Sequence, residues 1–227
     1  MGVRLMSKLR QVLAVVGVLV LLANAVFASS KPNIILVMAD DQGWGDMAYN
    51  GHPLLKTPNF DKAAASGLRF DRFYAAAPVC SPTRASVLTG RHPNRMGVFK
   101  WGFPMRPQET TLAEAVKTAG YTTGHFGKWH LGDSYPYRPQ DRGFHEVLVH
   151  GGGGIGQIPD FWGNDYFDDT YFHNGRSRKF EGYCSDVFFG EALRFIAANR
   201  AQPFFVYLTT NAPHSPYRVA AKYSEPY

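Results

Sequence analysis

The sequence predicts an α/β layered fold, with a central, mostly parallel sheet flanked by helices. Three observations predict it. Two short unbroken apolar runs, Ile34–Met38 and Pro203–Thr209, are bounded by turn residues, as parallel strands buried on both faces are. Segments with helix signals alternate with strand-like ones. Polar residues also gather just past the strand ends, at Asp40-Asp41, at Lys128 and His130, and at His214. Open α/β sheets bind their ligands at that edge.

The elements follow in chain order. Ile34–Met38 is the first strand, and it runs into two carboxylates and the loop Gln42-Gly43-Trp44-Gly45-Asp46, with Asp46 a loop cap. Thr57-Pro58 opens a helix through Ser66, with Thr at the cap, Pro in the first turn and Gly67 beyond the end. Leu68–Ala76 reads as another strand. Pro82–Leu88 reads as a helix just after Cys80. Thr111-Leu112-Ala113-Glu114 is a capping box for a helix that stops at Gly120. Tyr121–Phe126 is a strand leading into Gly127-Lys128-Trp129-His130-Leu131-Gly132. The glycine run from Gly151 to Gly156 and the aromatic, acidic stretch from Asp160 to Asn174 read as a long loop, either a cleft lining or a surface excursion. Ser185–Asn199 is amphipathic, with Phe188, Phe189, Ala192, Leu193 and Ile196 on one face. The last strand ends at Asn211-Ala212-Pro213-His214. No internal repeat is present.

The N-terminus predicts export. Arg4, Lys8 and Arg10 precede an apolar run from Val12 to Leu22, and small residues follow at Ala23, Ala25 and Ala28. This is the pattern of a secretory signal peptide over residues 1–28, cleaved after Ala25 or Ala28. The alternative is a retained anchor, but the run is short of the roughly 20 residues of a spanning helix, so no stable membrane insertion is expected. The leader holds three of the 24 basic residues and none of the 18 acidic ones, leaving 21 − 18 = +3 for residues 29–227. That mild charge, with no Lys/Arg block, argues against a nucleic-acid partner. The remaining ~200 residues suit one domain. An exported chain with two cysteines, Cys80 and Cys184, also raises the option of a disulfide.

Asp40 and Asp41 are hard oxygen ligands suited to Ca²⁺ or Mg²⁺; the plain alternative is a carboxylate pair capping a turn. Cys80-x-Pro82-x-Arg84, followed by Leu88-Thr89-Gly90-Arg91, resembles the signature of the formylglycine-dependent sulfatases. Asp40-Asp41-Gln42-Gly43 resembles that family's first metal-binding segment. Gly127-Lys128-Trp129-His130-Leu131-Gly132 resembles its Lys-x-His segment, and Ala212-Pro213-His214-x-Pro216 its later histidine segment. The four blocks fall in the family's order between Asn33 and Tyr217, and the arylsulfatase type is the nearest likeness.

The resemblance implies an alkaline-phosphatase-like layered fold over residues 31–227 and hydrolysis of aryl or carbohydrate sulfate esters. It implies that Cys80 is converted to Cα-formylglycine by a formylglycine-generating enzyme reading Cys80, Pro82 and Arg84, so Cys80 stays unpaired and Cys184 is a core residue. The hydrated aldehyde attacks sulfur, a covalent sulfo-enzyme splits the reaction in two, and the second hydroxyl lets the aldehyde re-form. It implies catalytic roles for five residues. Cys80 is the nucleophile, Arg84 holds the hydrate, Lys128 binds the sulfate side, His130 is a general base, and His214 helps the leaving group depart. Asp40, Asp41 and the modified Cys80 would hold Ca²⁺, or less typically Mg²⁺. The substrate partner is a sulfated small molecule or glycan. The resemblance also implies a downstream Asp-Asn pair, a second lysine and a smaller C-terminal subdomain. No segment matches these, and Asn164-Asp165 and Asp168-Asp169 lie too early, so the chain reads as the N-terminal portion of such an enzyme, cut short. Two other readings remain open: an inactive, vestigial or binding protein, and a phosphate or phosphonate ester hydrolase of the same superfamily.

Overall fold

Ile34–Met38 forms β1 in the computed structural model, which describes residues 31–227. The secretory leader read at residues 1–28 lies outside the described residues. After a single 3₁₀ turn at Ala48–Asn50 come α1 (Pro58–Ser66), α2 (Cys80–Thr89), α3 (Pro93–Met96) and α4 (Leu112–Thr118). Then follow β2 (Thr122–Gly127), a 3₁₀ turn at Pro139–Arg142, β3 (Glu146–Val149), β4 (Thr170–His173) and β5 (Arg176–Lys179). The chain ends with α5 (Cys184–Asn199), β6 (Phe204–Thr209) and α6 (Ala221–Ser224). Among the described residues no helix is long and apolar enough to cross a membrane.

The six strands make one sheet in the order β1-β6-β2-β3-β4-β5. β1, β6, β2 and β3 are parallel, and β4 and β5 are antiparallel. Strand periodicity divides the core between the two faces. On β6, Phe205 and Tyr207 pack toward Ala85, Leu88, Ala113 and Phe144 on one side. Phe204, Val206 and Leu208 pack toward Phe188, Ala192 and Phe195 of α5 on the other. Each such fully buried apolar side chain contributes ~1.5–3 kcal/mol. Helices thus cover both faces at the central strand β6, but β1 is an edge strand among the described residues, with Ile35 and Val37 52 and 48 % exposed, so the expected burial of Ile34–Met38 on both faces does not hold, while that of the last strand does.

Five expectations about individual elements change. Leu68–Ala76 forms no strand: Leu68, Phe70, Phe73 and Tyr74 are 82, 65, 81 and 80 % exposed, and the segment joins no ladder of the described sheet. α2 begins at Cys80, two residues before the expected start. α5 buries Cys184, Phe188, Ala192 and Phe195, while Phe189 and Leu193 are exposed. The aromatic ring of Phe195 is held by Phe126 and Phe204 on the sheet, and that contact rotates the helix away from the expected stripe. The loop read over Asp160–Asn174 ends inside a hairpin, β4–β5, turning at Asn174-Gly175 with φ of 50° and 80°. Thr57 also does not cap α1 through its side chain; its hydroxyl donates to Asp61 and accepts from the Ala48 amide.

Candidate active site

Three parallel strands end side by side, and each delivers a polar residue to the same edge. β1 leads into Asp40 and Asp41, β2 into Lys128 and His130, and β6 into the loop carrying His214. The loops are tied together: the Asp40 amide donates to the Ala212 carbonyl, and the Thr210 amide donates to the Met38 carbonyl. Gly127 permits the closest approach. A Cβ there would sit 1.8 Å from the Thr209 carbonyl oxygen, and its φ of 111° suits only glycine. Lys128 then docks on β6, its amide donating to Thr209 O (3.0 Å) and its carbonyl accepting from Thr209 Oγ1 (2.7 Å).

Cys80 is the first residue of α2, so its side chain stands at the electropositive end of that helix. The thiol is free and partly exposed. Lys128 Nζ lies 3.4 Å from Cys80 Sγ and 2.6 Å from Asp40 Oδ2. Arg84, one turn along α2, donates to Asp40 Oδ1 (3.0 Å) and to the Lys128 carbonyl (2.9 Å). Asp40, Arg84 and Lys128 are all buried, at 3, 1 and 0 % exposure. Burial alone would raise the Asp40 pKa; the Arg84 and Lys128 charges outweigh it and hold the carboxyl below its ordinary value. Asp41 is exposed, and its Oδ2 lies 3.4 Å from His214 Nε2. Asp41 and His130 both adopt left-handed backbone, φ 57° and 55°.

His130 is neutral near pH 7. Burial, then the charges of Lys128 and Arg84, push its pKa down to about 4. Its Nδ1 is buried without a hydrogen-bond partner among the described residues. The ring rests on Gly153, where a Cβ would come within 2.6 Å of His130 Cε1. All five expected catalytic residues and both aspartates thus converge. Cys184 is instead buried in the core, its thiol pushed up to about 12 by burial, so the two cysteines share no bridge.

Sequence reasoning missed three supports. Ser81, in a variable position of the signature, is wholly buried; its hydroxyl donates to the His130 carbonyl (2.8 Å) and accepts from the Gly102 amide (2.9 Å). His150, given no role, lies at the end of β3. Asn211 donates to its Nε2 (3.1 Å), so its Nδ1–H donates to the Gly151 carbonyl and the ring is neutral, as burial favours. Gly153 was read only as part of a loop. No local sequence signal marks any of the three, because each acts through a contact distant in sequence.

The donor set fits a hard divalent cation. Ligand atoms of Asp40, Asp41 and Cys80 all lie within 4.8 Å of one another. The thiol sulfur stands in for the oxygens that a hydrated aldehyde would carry, which would make the set all-oxygen. With one oxygen each, these three residues supply at most half of the six to eight oxygens calcium takes. Asp40, Asp41, Arg84 and Lys128 sum to zero formal charge, so a bound dication would leave the pocket positive and matched to an anionic ester. A second group, Glu146, His173 and Glu191, is spanned by Arg194, which bonds both carboxylates, and reads as an ion-pair network.

The family profile described as Sulfatase matches residues 32–227. The mouse (Mus musculus) N-acetylgalactosamine-6-sulfatase is 37 % identical over 231 residues, covering 91 % of this chain and 44 % of that protein. Bovine (Bos taurus) arylsulfatase A is 46 % identical over 137 residues, 56 % of this chain and 27 % of that one. The chain spans less than half the length of these curated relatives. Among solved structures, Ps i-CgsB in complex with k-i-k-neocarrahexaose superposes with a TM-score of 0.77 at 32 % identity, covering 85 % of this chain and 48 % of that one. A protein in complex with its substrate D-glucosamine-2-N,6-O-disulfate gives 0.74 at 28 % identity, over 85 and 37 %. The phosphonate monoester hydrolase of Agrobacterium radiobacter shares the fold, at 0.62 and 21 % identity, over 87 and 44 %.

Proposed function

The chain belongs to the sulfatase family, and from that premise we propose that it hydrolyses sulfate esters through a formylglycine made from Cys80. The observation that carries this reading is the meeting of Cys80 with Asp40, Asp41 and Lys128 at the first turn of α2. A structural cysteine has no need of a lysine ammonium on its sulfur and two carboxylates beside it.

The residues suit the chemistry as follows. One hydroxyl oxygen of the hydrated aldehyde attacks sulfur and gives its proton to solvent; an S–O bond forms to the enzyme, and the bond from sulfur to the leaving oxygen breaks. His214, held near the Asp41 carboxylate, delivers a proton to that oxygen. Neutral His130 then takes the proton of the second hydroxyl, the aldehyde C=O re-forms, and sulfate leaves with the electrons of the C–O bond. Lys128 fixes a positive charge beside the reacting carbon, and Arg84 fixes Asp40 and the Lys128 loop together. A divalent cation, calcium being the family's usual one, would stabilise charge on the sulfate oxygens when held by Asp40 and Asp41. The basic and apolar leader favours an exported setting, in which conversion of Cys80 precedes folding.

The test is co-production with a formylglycine-generating enzyme. An aminooxy probe should label the peptide bearing Cys80, and the protein should release sulfate from an aryl sulfate. Cys80→Ala should abolish turnover, and Cys80→Ser should leave little. A Cys80→Ala protein with wild-type turnover would sink the mechanism.

A further inference from the structure

We propose that Asn211 and His150 are positioning residues for His214: their side-chain hydrogen bond pins the loop carrying His214 to the end of β3. This rests on the sulfate-ester reading, in which His214 serves the leaving oxygen. His214 lies on the loop after β6, and residues 215–219 beyond it are exposed. The loop is held on the near side, at Asn211, which is 2 % exposed. The Asn211 carbonyl accepts from the His214 amide (2.8 Å). The Ala212 carbonyl accepts from the Thr210 hydroxyl (2.8 Å) and from the Asp40 amide (3.2 Å), which ties the loop to the end of β1. Asn211 Nδ2 then donates to His150 Nε2 (3.1 Å). β2 lies between β6 and β3 in the sheet, so this bond reaches past the end of β2 and fixes the loop from the other direction.

His150 is itself firmly placed. It is 1 % exposed, its Nδ1–H donates to the Gly151 carbonyl (2.7 Å), and its ring lies against Phe188 of α5, with centroids 6.4 Å apart. The bond at Nδ1 leaves Nε2 an acceptor, and that decides which end of the Asn211 carboxamide faces it. The other end, Oδ1, is buried with no hydrogen-bond partner among the described residues. Buried polar atoms are nearly always paired, so this one calls for a reason. Packing does not supply it, since a leucine has a similar shape and strands no oxygen. The carboxamide adds direction: its donor has one acceptor to meet, and the loop that leads to His214 is held where they meet.

The experiment compares the full chain, co-produced with a formylglycine-generating enzyme, with Asn211→Leu, His150→Gln and His214→Ala, on phenyl sulfate and 4-nitrophenyl sulfate. The measure is kcat/KM, which reports sulfur transfer from free enzyme and substrate, before His130 acts. Asn211→Leu should cost about tenfold for phenyl sulfate, short of the ~10²-fold of a 1 Å misplacement, and no more than about threefold for 4-nitrophenyl sulfate, whose leaving group needs less help. His214→Ala should show the same skew. His150→Gln keeps an acceptor for Asn211 and should stay within about threefold of the native chain on both esters. Where Asn211→Leu melts early, adding His150→Phe removes the unpaired nitrogen and takes its place in the test. A second readout needs no turnover: in NMR of ring-labelled histidine the His214 signals should move in Asn211→Leu and hold in His150→Gln. A purely structural pair lowers both esters alike, so equal losses in Asn211→Leu beside skewed ones in His214→Ala overturn the proposal, as do unmoved His214 signals. The sulfate-ester reading fails by separate results. Equal losses in His214→Ala remove its leaving-group role, and converted protein that releases sulfate from neither ester removes the activity, while the His214 signals still decide the positioning.

Discussion

Gly153→Ala should disable the base without disturbing the fold. The added Cβ would lie 2.6 Å from His130 Cε1 and 2.7 Å from Nε2. Carbon contacts settle near 3.5 Å or more, so the ring must retreat by about 1 Å. It is free to do so, because its Nδ1 has no hydrogen bond to break among the described residues. Gly153 is not in the left-handed region, so alanine fits its backbone. A displacement of that size costs on the order of 10²-fold in a positioned proton transfer. Two readouts follow. Turnover of an aryl sulfate should fall ~10²-fold. The imidazole, moved away from burial and from the Lys128 and Arg84 charges, should also titrate well above its native value of about 4, seen by NMR of ring-labelled histidine. Gly154→Ala is the control, since the atoms nearest its Cβ belong to the flexible Gln157 side chain. A Gly153→Ala protein with an unmoved His130 titration and a rate within about threefold of wild type, against the ~10²-fold expected, would refute the packing argument.

Other consequences can be measured on the same protein. Burial pushes the His125 pKa down to about 3, so the native state binds fewer protons than the unfolded chain, whose histidines titrate near 6.5. Its contribution is therefore full above ~6.5 and lost as pH falls toward 3, at ~1.4 kcal/mol per pH unit; His125→Phe should remove that slope from urea midpoints between pH 6 and 4.5, and parallel curves would contradict it. Arg84→Met leaves Asp40 buried with one partner fewer and should lower unfolding free energy by ~3–5 kcal/mol, with Asp40→Asn restoring part of it. A loss below ~1 kcal/mol in denaturant melts would place that ion pair among the inconsequential ones. His214→Ala should slow phenyl sulfate more than 4-nitrophenyl sulfate, whose leaving group needs less help; equal slowing removes its assigned role.

Much of the fold was legible because its signals are local. Apolar runs mark β1 and β6, and the Thr111/Glu114 capping box, formed in both directions, marks α4. The candidate site was legible for a related reason: its polar residues follow strand ends, and parallel strands carry them to one edge. What escaped depends on partners. Leu68–Ala76 has strand-like composition but joins no sheet among the described residues. β5, Arg176–Lys179, is fully exposed and carries no apolar alternation, yet the Asn174-Gly175 pair after Tyr171-Phe172 was a usable hairpin signal. On α5, five apolar residues fitted one stripe, and only the sheet's own rings decided that Phe195 would be buried instead of Phe189 and Leu193. Ser81 and His150 were invisible for the same reason, since each matters through what it touches across the fold.

Asp41 and His130 sit in backbone angles that residues with side chains enter at a cost of roughly 1 kcal/mol or more. The pocket is thus built where the chain is least at ease. Glycine at either position would relax the main chain and harden the protein against heat while emptying the pocket of a carboxylate or an imidazole. Selection for heat tolerance alone would drift toward those two changes and return a sturdier, silent molecule, whereas selection for turnover has to keep both residues in place.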